Sequence, residues 1–329
     1  MKNVLLVAGL SERYYYGPFL AACDGKVNIY IFDPSAVPDN GSISLYLGTN
    51  GSITGFVDVL KIKGERIESI RLTVSDIHIA WYLRENGNQS DTKKSSLETR
   101  FLQNESRGAI QSILSVLDCI WVNRKETVDF LASNKLYQQK IAQQSGLLVP
   151  PTLISNNPED VNRFSCGRDG LLLKTIGYIR LDEEGKHFIY SQRFPHEELT
   201  KSSVAISMCP IFAQEYIEKK YEYRVMVIGN KVLACKIDSQ ASEATKIDWR
   251  HYDLENVEHS QTELPEEIQR KLVAFMEKIG LRYGAIDLIE TPDGNFVFLE
   301  VNPSGQWGWV ADIAGLPIPE AVAEMLESL

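Results

Sequence analysis

The sequence predicts an α/β protein, and three observations carry that expectation. Near the start, KNVLLVAGL and KVNIYIFD are apolar runs of strand length on either side of a helix-like stretch around Tyr15 to Cys23, the pattern of an open α/β sheet. Further on, EYRVMVI and KVLACKI are joined by Gly229-Asn230, a two-residue hairpin turn. Towards the end, GAIDLIE and FVFLEVN flank a turn-forming TPDG, a second strand pair.

Between these landmarks the elements follow in order. SISLYLG, ITGFVDVLKI and SIRL are short β-rich runs punctuated by glycines. From Ala80 to Ser96 the chain turns polar and glycine-containing, which predicts a mobile loop. An amphipathic helix is expected from about Glu105 to Leu117, with Ile110, Ile113, Leu114 and Leu117 on one face. A second helix is expected from near Lys125 to Gly146, ahead of Pro150-Pro151. No internal repeat or low-complexity tract interrupts the chain.

Composition bounds the function. With 329 residues, 44% hydrophobic and 24% charged, the chain can bury an extensive core and divide into domains. A formal charge of -10 and a pI near 5.2 argue against general binding to nucleic acid or anionic membranes. Any phosphate site must therefore be a local pocket of lysines and arginines. Five widely spaced cysteines without a CxxC pair predict free thiols in a reducing compartment. The apolar run Val4 to Leu10 is too short to span a bilayer and lacks a signal-peptide layout, so a cytoplasmic protein is expected.

Candidate site residues follow along the chain. Lys135 stands at a helix start, and Lys174 ends the apolar strand LLLK, where its ammonium can reach phosphates while its stem stays packed. Each lysine taken alone also fits a solvated surface position. TIGYIRLDEEGKHFIYSQ reads as a hairpin lid. The strand FAQEYI, with Gln214, Glu215, Tyr216 and Ile217, can offer backbone groups to an adenine edge. In the Gly229-Asn230 hairpin Glu222 and Arg224 share one face, while Lys236 pairs with Tyr223 on the other. Glu222 then suits ribose hydroxyls, and Arg224 suits either a developing phosphate charge or a cross-strand ion pair on an exposed sheet. Arg250 is a phosphate contact or a partner of Asp248.

Asp287, Glu300 and Asn302 form a hard-cation set, because alternate residues of a strand share a face and oxygen donors suit magnesium beside a nucleotide. A four-residue TPDG loop sets Asp287 opposite Phe298, on the face of Glu300 and Asn302, with Val297, Leu299 and Val301 on the other. A five-residue loop turns Asp287 away. The alternative is a surface hairpin with solvated acids.

In this order, Lys135, Lys174, the QEYI segment, Glu222-Tyr223-Arg224, Asp287 and Glu300-Val301-Asn302 resemble the ATP-grasp superfamily from about Ser133 onward. SNKLYQQKIAQQSGLLVPPTLISNNPED, IDSQASEATKIDWRHYD and EVNPSGQWGW resemble the microviridin-type (graspetide) peptide cyclases, related to ribosomal-protein glutamate ligases. The resemblance implies an N-terminal pre-grasp α/β domain over 1–125, a central ATP-grasp subdomain over 126–212 and a C-terminal subdomain over 213–329. The C-terminal part is then α+β, with nucleotide bound between two α+β subdomains. It implies a ligase that uses ATP and Mg2+ to phosphorylate Asp or Glu side chains of a precursor peptide and closes them onto Ser or Thr hydroxyls or Lys amines. It also implies that Arg250 holds the acyl phosphate and that the partner is a ribosomal peptide with a leader and an acidic core, with no nucleic acid or membrane partner. The leader would be held by the helix Glu197 to Met208 and the hairpin Gly177 to Gln192. Glu197 and Glu198 would face a basic leader residue, or simply stabilise a helix N-terminus. Related enzymes are often homodimers. Ligation of a free amino acid or small amine to a carboxylate, and a non-catalytic nucleotide-binding regulatory protein, are the alternative readings.

Overall fold

The computed structural model describes every residue of the chain except 65, 85–95, 177–190, 252 and 306. The described residues form two compact units, Met1–Lys125 with Pro317–Leu329, and Glu126–Leu316.

The first unit is α/β. β1 (Asn3–Ala8) lies parallel to β2 (Asn28–Phe32), with α1 (Arg13–Ala22) between them in sequence. An antiparallel arm follows, made of β3 (Ile43–Leu47), β4 (Ile53–Lys63) and β5 (Arg66–Thr73). β6 (Ile79–Arg84) returns parallel to β1. Ala80 to Arg84, expected in a loop, are therefore strand, since Ala80, Trp81, Tyr82 and Leu83 are buried. The remainder of that expected loop, to residue 95, lies outside the described residues.

α2 (Leu97–Ser115) starts eight residues before the expected Glu105. Ser96 caps it, its Oγ accepting from the Thr99 amide at 3.1 Å, which lets a polar first half stay helical. β7 (Ile120–Trp121) pairs with β6 and completes the sheet order β3-β4-β2-β1-β6-β7, with β5 beside β4.

The second unit opens with two helices where one was expected. α3 (Lys125–Ser133) and α4 (Lys135–Gln144) are separated by Asn134, whose backbone leaves helical values at φ -124 and ψ 58. The Asn134 Nδ2 donates to Phe130 O at 2.6 Å, the side-chain competition that makes asparagine a helix breaker. The break leaves Lys135 as the first residue of α4. Gly146, at φ +82, follows the end of α4, where a side chain would be strained.

Next come β8 (Thr152–Ser155), α5 (Pro158–Ser165), β9 (Leu171–Lys174), β10 (Gln192–Phe194), α6 (His196–Lys201), α7 (Ser203–Met208) and β11 (Ile211–Glu215). Their strands form a sheet of order β10-β9-β11-β8, with Val161, Leu171, Leu199, Ile206 and Ala213 beneath it. The helix expected over Glu197 to Met208 is split at Ser202. Ser202 and Ser203 hydroxyls donate to Glu198 O and Thr200 O, both at or below 2.8 Å, diverting polar groups to local bonds. The hairpin expected over 177–192 lies, up to residue 190, outside the described residues.

The last sheet joins β12 (Tyr221–Ile228), β13 (Lys231–Ile237), β14 (His259–Thr262), β15 (Tyr283–Glu290) and β16 (Phe296–Asn302) in the order β14-β13-β12-β15-β16. Ile228 pairs with Lys231 across the expected two-residue turn, and Tyr223 faces Lys236. α8 (Glu266–Ile279) and α4 cover one face, burying Tyr223, Val225, Leu272, Phe275, Ile286, Leu288, Phe298 and Val301. The opposite face carries Glu222, Arg224 and Asp287.

The β15–β16 register differs from the expected one in two ways. Glu290 pairs with Phe296, so the loop has five residues, Thr291 to Asn295, with Gly294 at φ +80. A β-bulge then interrupts the ladder: Leu288 opposes Phe298, but Asp287 opposes Glu300. The longer loop alone would turn the acids apart, and the extra residue Leu299 turns them back together. Leu299 faces the acid side of the sheet, and Phe296 and Phe298 pack with the core instead. α9 (Gly308–Ala314) closes the unit, while α10 (Ile318–Ser328) packs on α1 in the first. Among the described residues no helix is long and apolar enough to cross a membrane.

Candidate active site

Strands of both sheets of the second unit converge on a cleft of about 640 Å³ that opens to solvent. β9 supplies Lys174, β12 supplies Glu222, β15 supplies Asp287 and β16 supplies Glu300, while Tyr216 and Ile217 extend past the end of β11.

On the β11 side, Gln214 is committed to its own sheet. Its backbone pairs with Thr152 and Leu172, and its Nε2 donates to Thr152 Oγ1 at 3.0 Å. The Glu215 carboxylate accepts from Arg168 Nε at 3.0 Å, and Arg193 stacks over the Tyr216 ring at 4.3 Å. Tyr216 and Ile217, beyond the strand, keep a half-buried surface on the cleft. Glu222 is buried and accepts from Lys219 Nζ at 2.6 Å, while that ammonium also donates to Ile247 O at 3.0 Å. Burial raises the Glu222 carboxyl, and Lys219 offsets the rise. Lys219 lines the cleft and was missed from the sequence, where adjacent Lys219 and Lys220 read alike; only the fold buries the first and exposes the second.

The cationic side brings Lys135 and Lys174 together around Glu300. Lys135 Nζ meets Glu300 Oε2 at 3.0 Å. Burial lowers the Lys174 ammonium to about 8, with Glu300 opposing the fall and Lys135 and Arg250 adding to it. Burial alone would raise the Glu300 carboxyl, but Lys135 and Lys174 outweigh it and bring the group to about 2.

Arg224 Nη1 donates to Asp287 Oδ1 at 2.8 Å, and Asn302 Nδ2 lies 3.4 Å from Asp287 Oδ2. The cross-strand ion pair expected as one alternative is thus present, but it is buried beside the cleft rather than on an exposed sheet. Burial raises the Asp287 carboxyl, Arg224 offsets the rise, and the like charge of Glu300 adds to it. Two carboxylates on directly opposed residues, with a carboxamide beside them, give an oxygen-rich set that fits a hard divalent cation. Among the described residues no cluster of three His, Cys, Asp or Glu side chains occurs; this set is two acids and an amide.

Arg250 projects from the segment after Ile247. Its Nε donates to Asp248 Oδ1 at 2.7 Å, and an Nη2 contact engages Asp248 Oδ2. Asp248 also accepts from the Ser191 amide at 3.2 Å. Although burial works against ionisation, the Arg250 bonds hold the Asp248 carboxyl down at about 2. Trp249 lines the cleft next to it and packs on Trp309 with ring centroids 4.9 Å apart. Glu197 and Glu198 do not join this group; they sit exposed in the first turn of α6. Gln138, absent from the sequence expectations, donates to Val301 O at 3.1 Å and accepts from the Val301 amide at 2.8 Å.

No curated protein matches the chain significantly. Among solved structures, the Chryseobacterium gregarium RiPP-associated ATP-grasp ligase, in complex with ADP and a leader and core peptide, is 25% identical with a TM-score of 0.85, covering 99% of this chain and 96% of that one. The macrocyclase MdnC of Microcystis aeruginosa, bound with precursor peptide MdnA, is 27% identical with a TM-score of 0.81, covering 99% and 100%. The macrocyclase MdnB of the same organism is 25% identical with a TM-score of 0.72, covering 99% of each chain. The fold and the likeness to peptide-cyclising ligases expected from the sequence are both met. A model of the RimK-like ATP-grasp domain matches residues 132–326, more than half of the chain, which therefore belongs to the RimK-like ATP-grasp family.

Proposed function

We propose that the protein is an ATP-dependent ligase that activates Asp or Glu side chains of a ribosomally made precursor peptide and closes each onto a Ser or Thr hydroxyl or a Lys amine of the same peptide. The observation that carries this reading is the meeting of Lys174 with the opposed carboxylates Glu300 and Asp287 in one cleft, with Lys135 paired to Glu300 at 3.0 Å. The similar solved ligases, whose partners are leader, core and precursor peptides, support the substrate class.

A carboxylate is a weak electrophile, so it must first be given a leaving group. Its oxygen attacks the γ-phosphorus of ATP, ADP leaves with the bonding electrons, and an acyl phosphate forms. The hydroxyl or amine then attacks the acyl carbon, phosphate departs with the C–O electrons, and the nucleophile's proton ends on the released phosphate. The net change is loss of one water from the peptide for each ATP split to ADP and phosphate.

Each step brings anions together, so electrostatics dominates. Asp287, Glu300 and Asn302 would hold Mg2+, which neutralises phosphate charge when bound. Lys135 and Lys174 grip the phosphates, and Arg224 favours the ionised form of Asp287 and aims it. Arg250, fixed by Asp248, holds the acyl phosphate. Glu222 takes the ribose hydroxyls, and Tyr216 and Ile217 flank the base. Exposed Glu197 and Glu198 on α6 suit a basic leader segment, and the active form is a homodimer.

Mass spectrometry after incubation with ATP, Mg2+ and a candidate acidic precursor tests the reading. Loss of one water per event with matching ADP release is expected; a mass gain would instead assign ligation of a separate amine or amino acid.

A further inference from the structure

Among the described residues β16 ends its sheet, so the outer edge of the strand carrying Glu300 and Asn302 faces no further strand beyond an isolated parallel bridge of Leu148 to Val297. Backbone groups on such an edge need other partners. Leu148 O accepts from the Phe298 amide at 2.8 Å. Past the bulge, the Gln138 carboxamide behaves like a peptide unit of an added strand. Its Oε1 accepts from Val301 N–H at 2.8 Å, and its Nε2 donates to Val301 O at 3.1 Å and to Leu131 O at 2.8 Å. Gln138 is 2% exposed, so water does not compete for these bonds.

Leu148 and Gln138 therefore bracket Leu299 and Glu300, the residues at the bulge. A bulge leaves its extra residue unpaired and lets the strand bend, so here β15 grips the acid-bearing segment least. Gln138 also stands one helical turn after Lys135 on α4, on the same face. A single turn of α4 thus holds Glu300 by its side chain and Val301 by its backbone.

We propose that Gln138 is a positioning residue for the metal-binding strand: it clamps Val301 from the outer edge and so keeps Glu300 aimed into the cleft and Asn302 beside Asp287. The inference rests on the proposed metal role of those two residues and goes beyond it in assigning how they are held.

Three measurements test it. Mn2+ binding in the presence of ADP, read by electron paramagnetic resonance, is compared for wild type, Gln138→Met, Gln138→Glu and Glu300→Gln. ADP binding without divalent metal is followed by calorimetry. Both Gln138 variants are expected to lose about 10–100-fold in Mn2+ affinity, as loss of an outer-shell support does, while metal-free ADP affinity stays within about twofold. A merely structural role would lower the melting temperature without separating the two affinities. Because the variants can fail to fold, amide exchange of Val301 in the wild type is the third readout. Val301 is expected to exchange as slowly as amides inside the sheet; exchange at the rate of an open edge overturns the clamp. If Glu300→Gln weakens Mn2+ but both Gln138 variants bind it like wild type, the clamp fails alone. If Glu300→Gln binds Mn2+ like wild type, the metal assignment fails, and the positioning role falls with it.

Discussion

Arg224 and Asp287 face each other across β12 and β15, with guanidinium Nη1 2.8 Å from carboxylate Oδ1 and 6% and 8% of the two residues exposed. Each charge is costly in this setting without the other. Removing only the cation strands a buried carboxylate, so Arg224→Ala is expected to cost roughly 3–5 kcal/mol in metal-free buffer. At about 2–4 °C per kcal/mol, that is a fall of on the order of 10 °C in Tm. The double variant Arg224→Ala/Asp287→Leu, which removes both charges, is expected to melt above Arg224→Ala. Calorimetry on the four proteins of the cycle decides it, and strict additivity of the two single changes would exclude the coupling.

Lys174 gives a pH dependence with a definite sign. Burial leaves its ammonium titrating at about 8 in the free protein, well below the usual lysine range. Phosphates attract only the charged form, so metal-free affinity for ADP is expected to weaken as pH rises through about 8. At pH near 8 and above, binding should draw a proton from buffer, because the arriving anion restores the charge. Calorimetry in buffers of different ionisation enthalpy measures that uptake. Lys174→Met is expected to bind weakly at every pH and to show no uptake; an unchanged proton count would assign the linkage to another group.

The Lys174 and Glu222 placements were legible because each depends on local rules: an apolar strand ending in lysine, and strand parity around a two-residue turn. Asp287 and Glu300 were brought together in the expectation for an incomplete reason. The loop carries one residue more than TPDG, the bulge carries Leu299 as a second extra residue, and the two changes of parity cancel. Neither was visible locally, since Asn295 suits a turn or a strand end equally, and a leucine in a strand does not announce a bulge. Gln138 and Lys219 were illegible for another reason. A glutamine and a lysine are expected in water, and what buries them here is the edge of β16 for one and the segment ending at Ile247 for the other.

Glu222 offers a test of nucleotide recognition that separates its ribose role from its pairing with Lys219. A buried carboxylate bonded to hydroxyls contributes about 1.5–3 kcal/mol, or roughly 10–100-fold. Wild type is therefore expected to prefer ATP over the 2′,3′-dideoxy analogue by that factor in KM. Glu222→Gln is expected to bring the ratio close to one. If the variant weakens both nucleotides equally, Glu222 serves only to neutralise Lys219.

Asp248 lets the role of Arg250 be read without removing the arginine. The carboxylate grips Nε and an Nη2 contact at once, and its own low value near 2 keeps it charged at any working pH. Asp248→Asn preserves shape but gives up the bidentate, charge-assisted pair, so the guanidinium samples other rotamers. If Arg250 stabilises the reacting phosphate, kcat is expected to fall by roughly 10–100-fold, the scale of losing one oriented donor, with KM for ATP nearly unchanged. Steady-state kinetics makes that separation: a rise in KM at constant kcat would show that the pair contributes to ground-state binding and leaves the chemical step alone.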